Sequence, residues 1–291
     1  MTTEPDQEKY LQPVDDGLPM RESGEWAKIK LSVLGYYIDL STVAMYRKPW
    51  RRRYYIDLQA GPGKNVIKNT GEVVLGSPLL ALLRGRGYTD YRLIEKNEDL
   101  AAALWQRCEA THRINRSDIR TADFSTEVEG IVEEIREIDK PFIRGQWHTL
   151  TLAFFDPEGL ELDWNSVALL ASLNRIDLII NFSTHGIRRA AGQGLNQPPG
   201  TSVIDQFFGT LEWRDIPFDP DGHPPVRRYL DLYKSRLESI GFSWGTEISV
   251  PMQTTFGVEL YRLLYASKSK DVGVEFWEKA RKNAPQQRSL F

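Results

Sequence analysis

Two patterns of apolar and polar positions alternate along the chain. Short apolar runs of strand character are separated by longer segments in which apolar residues recur every three or four positions, as on one face of a helix. Strands that are separated by helical segments indicate a parallel, doubly wound sheet with helices on both faces. The predicted strands of this kind are residues 54–58, 91–95, 119–121, 150–155 and 177–182.

The C-terminal part of the chain departs from this alternation of strands and helices. The runs ISVPMQ and FGVELYRLLYAS begin at residues 248 and 256, close enough to form an antiparallel hairpin. We therefore predict an α/β fold with a doubly wound, mostly parallel sheet of about seven strands and an antiparallel C-terminal hairpin.

The same patterns divide the chain into regions. A polar, proline-containing stretch is expected to be a flexible N-terminal arm, and the helical spacing after it predicts a helical cap before the sheet. A glycine- and proline-rich stretch that interrupts the order of strands and helices is expected to be an insertion. The expected boundaries are 1–23 for the arm, 24–53 for the cap, 54–282 for the α/β domain, 184–225 for the insertion, and 283–291 for a polar C-terminal tail.

Composition and charge exclude few classes of function. The 291 residues include 37 Lys and Arg against 40 Asp and Glu, and the net charge of −3 does not indicate a nucleic-acid binder, although it is compatible with a local basic face. Cys108 is the single cysteine, which excludes an internal disulfide and a multi-cysteine metal site, and we expect no metal. The first residues lack the features of a signal peptide, and no apolar run approaches the ~20 residues that span a bilayer. We expect a cytoplasmic protein that has no contact with a membrane.

The stretch YYIDLQAGPG carries the most specific chemistry. Asp57 ends a strand, and Gly61 and Gly63 follow in a turn where the missing Cβ atoms let a ligand approach the backbone. A P-loop does not fit, because its first glycine and the Ser or Thr after its lysine are missing, and a dinucleotide fingerprint lacks its third glycine. The order of an acid, three residues, and glycines two apart instead resembles the glycine-rich turn of class I S-adenosylmethionine-dependent methyltransferases. There the turn passes under the methionine part of the cofactor, and the acid helps to orient its amino group.

Two further strand ends supply what such a site requires. The second strand ends at Glu95, whose carboxylate is suited to accept hydrogen bonds from both ribose hydroxyls. Asp123 and Phe124 follow the third strand, where the resemblance places the adenine. Asp123 is equally compatible with a helix cap.

The loop after the fourth strand reads DPEG and is expected to face the transferred methyl group. Its candidates for catalysis are Asp156, Pro157 and Glu158. Enzymes that methylate amino groups of nucleic acids carry [DN]-P-P-[YF] at this place. Asp156 and Pro157 match that pattern, whereas Glu158 and Gly159 do not. An Asp-Pro pair also simply forms turns.

Basic side chains after the fifth strand are candidates for substrate contacts. The run HGIRRAAGQG supplies His185, Arg188 and Arg189, which would suit a phosphate backbone but are equally compatible with solvated side chains on a mobile loop. His185 is also a candidate general base near neutral pH. Lys28 and Lys30 are candidates to reach the site from the N-terminal helix, although most such lysines lie on the surface.

Several motifs together resemble the three-Cys-motif partner family (TcmP) of bacterial proteins. They include YYIDLQAGPG, GSPLLAL, YRLIEKN, LAFFDPEGLELDW and DLIINFS, and the resemblance extends over about residues 24–282. It implies a Rossmann-like methyltransferase fold, S-adenosylmethionine as the cofactor, and a partner protein whose three-cysteine motif is typical of radical-type iron–sulfur proteins.

The function that these patterns favour is methyl transfer from S-adenosylmethionine, with DNA or RNA as the expected acceptor. One alternative is an adaptor that keeps the fold for association with its three-cysteine partner. Another is a metal-dependent, nuclease-like repair or defence protein that uses Asp123, Asp156 and Glu158.

Overall fold

Strands and helices alternate along most of the chain in the computed structural model, which describes residues 8–111, 113–251, 259–269 and 272–283. The strands are β1 (Arg21–Ser23), β2 (Arg53–Asp57), β3 (Lys64–Ile67), β4 (Val73–Leu75), β5 (Asp90–Glu95), β6 (Ser117–Thr121), β7 (Leu150–Phe155), β8 (Ile176–Phe182), β9 (Ser243–Trp244), β10 (Ile248–Pro251) and β11 (Glu259–Ser267). The α-helices are α1 (Trp26–Tyr46), α2 (Ser77–Arg84), α3 (Glu98–Glu109), α4 (Phe124–Asp139), α5 (Trp164–Ala171), α6 (Thr184–Leu195), α7 (Val203–Phe208), α8 (Val226–Ser239) and α9 (Val272–Asn283). Short 3₁₀ helices cover Glu8–Leu11, Ile114–Arg116 and Glu212–Asp215.

The main sheet has the strand order β10-β11-β8-β7-β2-β5-β6, and the short β9 pairs with the end of β11. The five strands from β8 to β6 run parallel, whereas β11 runs antiparallel to both β8 and β10. The predicted doubly wound, mostly parallel sheet with an antiparallel C-terminal hairpin is therefore confirmed, although residues 252–258 of the hairpin connection lie outside the described residues. The strand order reverses between β2 and β7, and their carboxyl ends flank the crevice where ligands bind in such sheets.

Helices cover both faces of the sheet because alternate residues of a strand point in opposite directions. Tyr54 and Ile56 of β2 pack with α4 to α8 on one face. Tyr55 packs with α1, α2, α3 and α9 on the other face. The central strands are thus buried on both faces, and their polar residues gather at the strand ends.

A second sheet of three short strands adjoins the glycine turn. Its order is β1-β3-β4, with β1 parallel to β3 and β4 antiparallel to it. Strand β3 begins directly after Gly63, and Arg21 of β1 lies opposite Asn65. The sequence pattern does not predict these strands, because each has only three or four residues.

The expectation of a flexible N-terminal arm does not hold for its described part, which begins at residue 8. Asp16 is buried, and its carboxylate lies 2.6 Å from Arg107 Nη2 and 2.8 Å from Lys64 Nζ. Arg107 also donates to the carbonyl of Pro62 at 2.6 Å. These buried contacts fasten the segment to the glycine turn, and β1 continues it into the small sheet.

The predicted insertion is more helical than its glycine and proline content indicates. Helix α6 begins directly after β8 and contains Gly192 and Gly194, and α7 follows it. A Cβ atom on Gly194 would lie 2.7 Å from Cγ2 of Ile204, so this glycine permits the close packing of α6 against α7.

Both ends of the chain reach beyond the described residues. Helix α9 ends at Asn283, and the rest of the predicted tail, 284–291, is not among the described residues. Within the described part, none of the helices combines the length and the apolar character that crossing a bilayer requires.

Candidate functional site

A cavity of about 450 Å³ opens at the carboxyl edge of the main sheet, beside the crevice between β2 and β7. Its wall comes from β1 with the first turns of α1, the glycine turn after β2, β3 with Lys68, the start of α2, the loop after β7, the end of β8 with the start of α6, and the start of β11. The cavity therefore joins three of the predicted strand ends, those of β2, β7 and β8, to the N-terminal segment.

The turn after β2 brings bare backbone to the cavity wall. Gly61 and Gly63 line the cavity with φ angles of +64° and +89°, which residues with a side chain rarely adopt. A Cβ atom on Gly63 would meet Leu79 and Leu104 at 3.2 Å, and the N–H of Gly76 donates to the carbonyl of Gly63 at 2.7 Å. The turn is thus fixed in a conformation that favours glycine.

Asp57 ends β2 and lies behind the cavity wall, fully buried. The hydroxyl of Tyr55 donates to its Oδ2 at 3.1 Å, and Ser77, which lines the cavity, is another hydrogen-bond partner. Burial raises the pKa of Asp57 to about 7, and the charge of Asp156 adds to the rise, whereas the hydrogen bonds from Ser77 and Tyr55 oppose it. A cation bound in the cavity would therefore favour the ionised form of this acid.

Glu95 ends β5, the strand beside β2, and is 5% exposed. Its Oε2 accepts the N–H of Gly61 at 2.9 Å and a hydrogen bond from Arg21 Nη2 at 3.1 Å. Its Oε1 accepts the N–H of Asn97 at 2.9 Å. The carboxylate is held against the glycine turn behind the residues that line the cavity, and Arg21 is a partner that the sequence did not reveal.

Asp156 and Pro157 lie in the cavity wall after β7, as does the largely exposed Glu158. Lys30 of α1 contacts both carboxylate oxygens of Asp156, at 2.6 Å from Oδ1. Lys30 thus reaches the site from the N-terminal helix, whereas Lys28 pairs with surface carboxylates.

Asn181, near the end of β8, is a candidate that sequence reasoning missed. It lines the cavity, is 5% exposed, and donates from Nδ2 to Asp156 Oδ1 at 2.9 Å and to the carbonyl of Pro157 at 3.4 Å. Its Oδ1 has no hydrogen-bond partner within the part of the chain that the structure describes. The opposite amide orientation would place this oxygen against the Asp156 carboxylate, so the donors fix the orientation. The available signal was a polar residue inside the apolar run DLIINF.

The structure does not bring Asp123 and Phe124 to this cavity. Asp123 caps α4 by accepting the N–H of Ser125 at 3.1 Å, and it pairs with Lys96 Nζ at 2.9 Å. Lys96 holds the pKa of Asp123 below its ordinary value. Phe124 is buried in the apolar core. For Asp123 the structure thus supports the alternative of a helix cap.

The predicted substrate residues separate into two groups. His185 lines the cavity, but Arg188 and Arg189 do not. They lie on helix α6 rather than on a loop, and Arg188 Nη1 donates to the carbonyl of Glu259 at 2.6 Å, which joins α6 to β11. Arg189 is exposed to solvent.

Comparisons with known proteins give likeness in fold at low sequence identity. No protein-family model matches the chain, and no curated protein matches it in sequence. A Legionella pneumophila protein is 11% identical over 84% of this chain and 86% of its own, with a TM-score of 0.47. The O-methyltransferase from Bacillus cereus in complex with SAH is 13% identical over 92% of this chain and 93% of its own, with a TM-score of 0.44. TYW2 from M. jannaschii in complex with AdoMet is 7% identical over 84% of this chain and 76% of its own, with a TM-score of 0.36. Because these TM-scores lie below 0.5, the fold assignment rests on the strand order of the sheet itself.

Proposed function

We propose that the protein is an S-adenosylmethionine-dependent methyltransferase that binds its cofactor at the carboxyl edge of the main sheet. The observation that carries the proposal is the position of Glu95, a carboxylate at the tip of the strand beside β2 that is fixed to the N–H of Gly61 at 2.9 Å. The adjoining cavity of about 450 Å³ falls in the range of roughly 300–1,000 Å³ that is typical of small-molecule sites.

Three features of the site fit this cofactor. Glu95 offers acceptors to a ribose diol. Asp57 offers an acid that a cationic amino group would ionise. Gly61 and Gly63 offer backbone that no Cβ atom covers. When bound, S-adenosylmethionine supplies a methyl group on a sulfonium with a good leaving group, so that the task of the protein is to orient the reactants and exclude water.

The opposite wall of the cavity is suited to hold the methyl acceptor. Asp156 lines the cavity, and the amide oxygen of Asn181, which also lines it, has no partner among the described residues; these two acceptors would receive N–H or O–H groups of the molecule to be methylated. Lys30 holds the Asp156 carboxylate in place from α1. A donor that reaches Asn181 Oδ1 would also remove a buried oxygen without a partner, which is otherwise unfavourable.

The nucleic-acid acceptor, the three-cysteine partner and the cytoplasmic location stay predictions. Asp156-Pro157 matches the first half of the amino-methylating pattern, which favours a nucleic acid as the acceptor, whereas Glu158-Gly159 departs from its second half, which weakens that assignment. The nuclease-like alternative lacks a metal-binding cluster in the described ranges, because Asp156 pairs with Lys30 while Asp123 caps α4.

Calorimetric titration with S-adenosylmethionine and S-adenosylhomocysteine tests the proposal. We expect both to bind the wild-type chain and Glu95→Gln to weaken binding roughly 10- to 100-fold, since hydrogen bonds to a charged group contribute about 1.5–3 kcal/mol. Asp123→Asn is the matched control, because it alters a carboxylate at the neighbouring strand end that lies outside the cavity. We expect its affinity to equal that of the wild type.

Two outcomes would contradict the assignment: no binding by the wild-type chain, or the same loss in both variants. Transfer of labelled methyl groups from the cofactor to DNA or RNA then separates an active enzyme from an adaptor. An adaptor would bind the cofactor and leave the nucleic acid unlabelled.

A further inference from the structure

Arg21 of β1 lies across the cavity between two carboxylates. Its Nη2 is 3.1 Å from Glu95 Oε2, and its Nη1 is 3.6 Å from Glu158 Oε1. The guanidinium also covers Gly61, since a Cβ atom on that residue would lie 3.6 Å from Arg21 Cζ. A ligand that approaches both Gly61 and Glu95 therefore meets this cation.

The hydrogen bonds of Glu95 leave too little capacity for two ribose hydroxyls. An ionised carboxylate has about four acceptor positions. Three are taken, by the N–H of Gly61, the N–H of Asn97 and the guanidinium of Arg21. The two backbone donors belong to the glycine turn and the start of α3, so they are fixed. Arg21 is the partner that can leave.

The side chain of Arg21 has room to move while its backbone is held. The backbone pairs with β3 opposite Asn65, and the buried Asp16 fastens the preceding residues. The side chain is 24% exposed, and its second partner, Glu158, is 75% exposed. The Arg21–Glu158 pair is therefore weak and exchanges readily, whereas Arg21 leaves the 6% exposed Glu95 only when the ligand supplies another carboxylate and the ribose hydroxyls take its place.

We propose that Arg21 is a displaceable cation, which occupies Glu95 in the ligand-free protein and moves to the carboxylate of an amino-acid-bearing nucleoside when that ligand binds. The inference rests on the proposed function and adds a specificity-determining residue to it. A nucleoside without a carboxylate must displace Arg21 from Glu95 and has no anionic group with which the displaced guanidinium could pair. S-adenosylhomocysteine offers a charge-assisted hydrogen bond in exchange. Arg21 therefore selects nucleosides that carry an amino-acid tail.

The test compares S-adenosylhomocysteine with 5′-methylthioadenosine, which keeps the ribose diol and lacks the amino-acid tail. Calorimetry gives the Kd of each ligand for the wild type and for Arg21→Gln. We expect the ratio of the methylthioadenosine Kd to the S-adenosylhomocysteine Kd to fall about tenfold in Arg21→Gln, because that variant loses the partner of the amino-acid tail. The loss of the competitor for the diol affects both ligands equally and does not change the ratio. Arg21→Lys, which keeps the charge, should restore part of the ratio.

Lys68→Gln is the matched control, because it removes a cation from the same cavity that pairs with Glu22 rather than Glu95. Its ratio should equal that of the wild type. An unchanged ratio in Arg21→Gln, or an equal fall in Lys68→Gln, would overturn the role of Arg21 and leave the proposed function intact. Failure of the wild type to bind either ligand would overturn the proposed function, and the role of Arg21 with it.

Discussion

Two ion clusters lie on either side of the glycine turn, and they differ in exposure. The closed cluster consists of Asp16, Lys64 and Arg107, whose side chains are all 0% exposed. The open cluster consists of Arg21, Glu95 and Glu158, whose side chains are 24%, 6% and 75% exposed. Both clusters tie the N-terminal segment to the turn, but only the open one adjoins the cavity.

The closed cluster has the features of a structural anchor. Burial opposes ionisation of Asp16, but hydrogen bonds from Arg107 and Lys64 outweigh it and lower the pKa of Asp16 to about 2. The cations are satisfied further by backbone carbonyls, of Pro62 for Arg107 at 2.6 Å and of Val14 for Lys64 at 3.0 Å. Buried charges of this kind are stable only when every partner is present.

In the open cluster a single cation is shared between two carboxylates, and the cluster is partly exposed to solvent. Its contact with the exposed Glu158 is therefore easy to exchange. One segment is thus anchored by buried ion pairs at Asp16 and, five residues later, carries Arg21, the cation that we propose to exchange partners when a ligand binds.

The two ion clusters should differ most in how much they contribute to the free energy of unfolding. Asp16→Ala should lower the free energy of unfolding by about 3–5 kcal/mol, because it leaves two buried cations without their carboxylate. Glu158→Ala, from the open cluster, should change it by less than about 1 kcal/mol. Urea unfolding monitored by circular dichroism measures both. A loss below about 1 kcal/mol for Asp16→Ala would remove the distinction between the clusters.

A smaller effect is expected on the pH dependence of binding. Asp57 has a raised pKa of about 7 in the ligand-free protein because of its burial, and a cationic amino group on the ligand would lower that pKa by favouring the ionised acid. Ligand then binds more tightly as the pH rises through 7. We expect the Kd of S-adenosylhomocysteine to fall up to about tenfold from pH 6 to pH 8, which corresponds to about one pKa unit or 1.4 kcal/mol.

Asp57→Asn should abolish this pH dependence, since the amide does not titrate. His185→Gln is the control, because His185 is an ionisable side chain that also lines the cavity. If the pH dependence of the Kd disappeared in His185→Gln and persisted in Asp57→Asn, it would arise from the histidine, and the role given to Asp57 would be wrong.

The candidate site residues that the sequence identifies lie within one short motif or at the end of a predicted strand. Asp57, Gly61 and Gly63 form one short motif, and Glu95 ends the next predicted strand, so strand order alone places them at one edge of the sheet. The role of Arg21 was not predicted, because its partner Glu95 is 74 positions away in the sequence. The same holds for Asp16, since 91 positions separate it from Arg107. Long-range ion pairs leave no periodic pattern in a sequence.

The fold was predictable where strands are long and apolar, and less so elsewhere. Strands β3 and β4 are too short to show alternation, and the turn that joins them contains Gly71, whose φ is +69°. Gly192 and Gly194 indicated a loop because glycine disfavours helices. At Gly194 that preference gives way to packing, since a side chain there would collide with Ile204 across the helix interface.

A crystal structure of the chain bound to S-adenosylhomocysteine would show directly whether the ligand occupies the carboxyl edge of the sheet. We predict that the ribose hydroxyls meet the carboxylate of Glu95, that the amino-acid tail lies over Gly61 and Gly63, and that the guanidinium of Arg21 has left Glu95 for the ligand carboxylate. A ligand bound away from the carboxyl edge of β2 and β5, or a ribose held elsewhere while Arg21 stays on Glu95, would contradict this prediction.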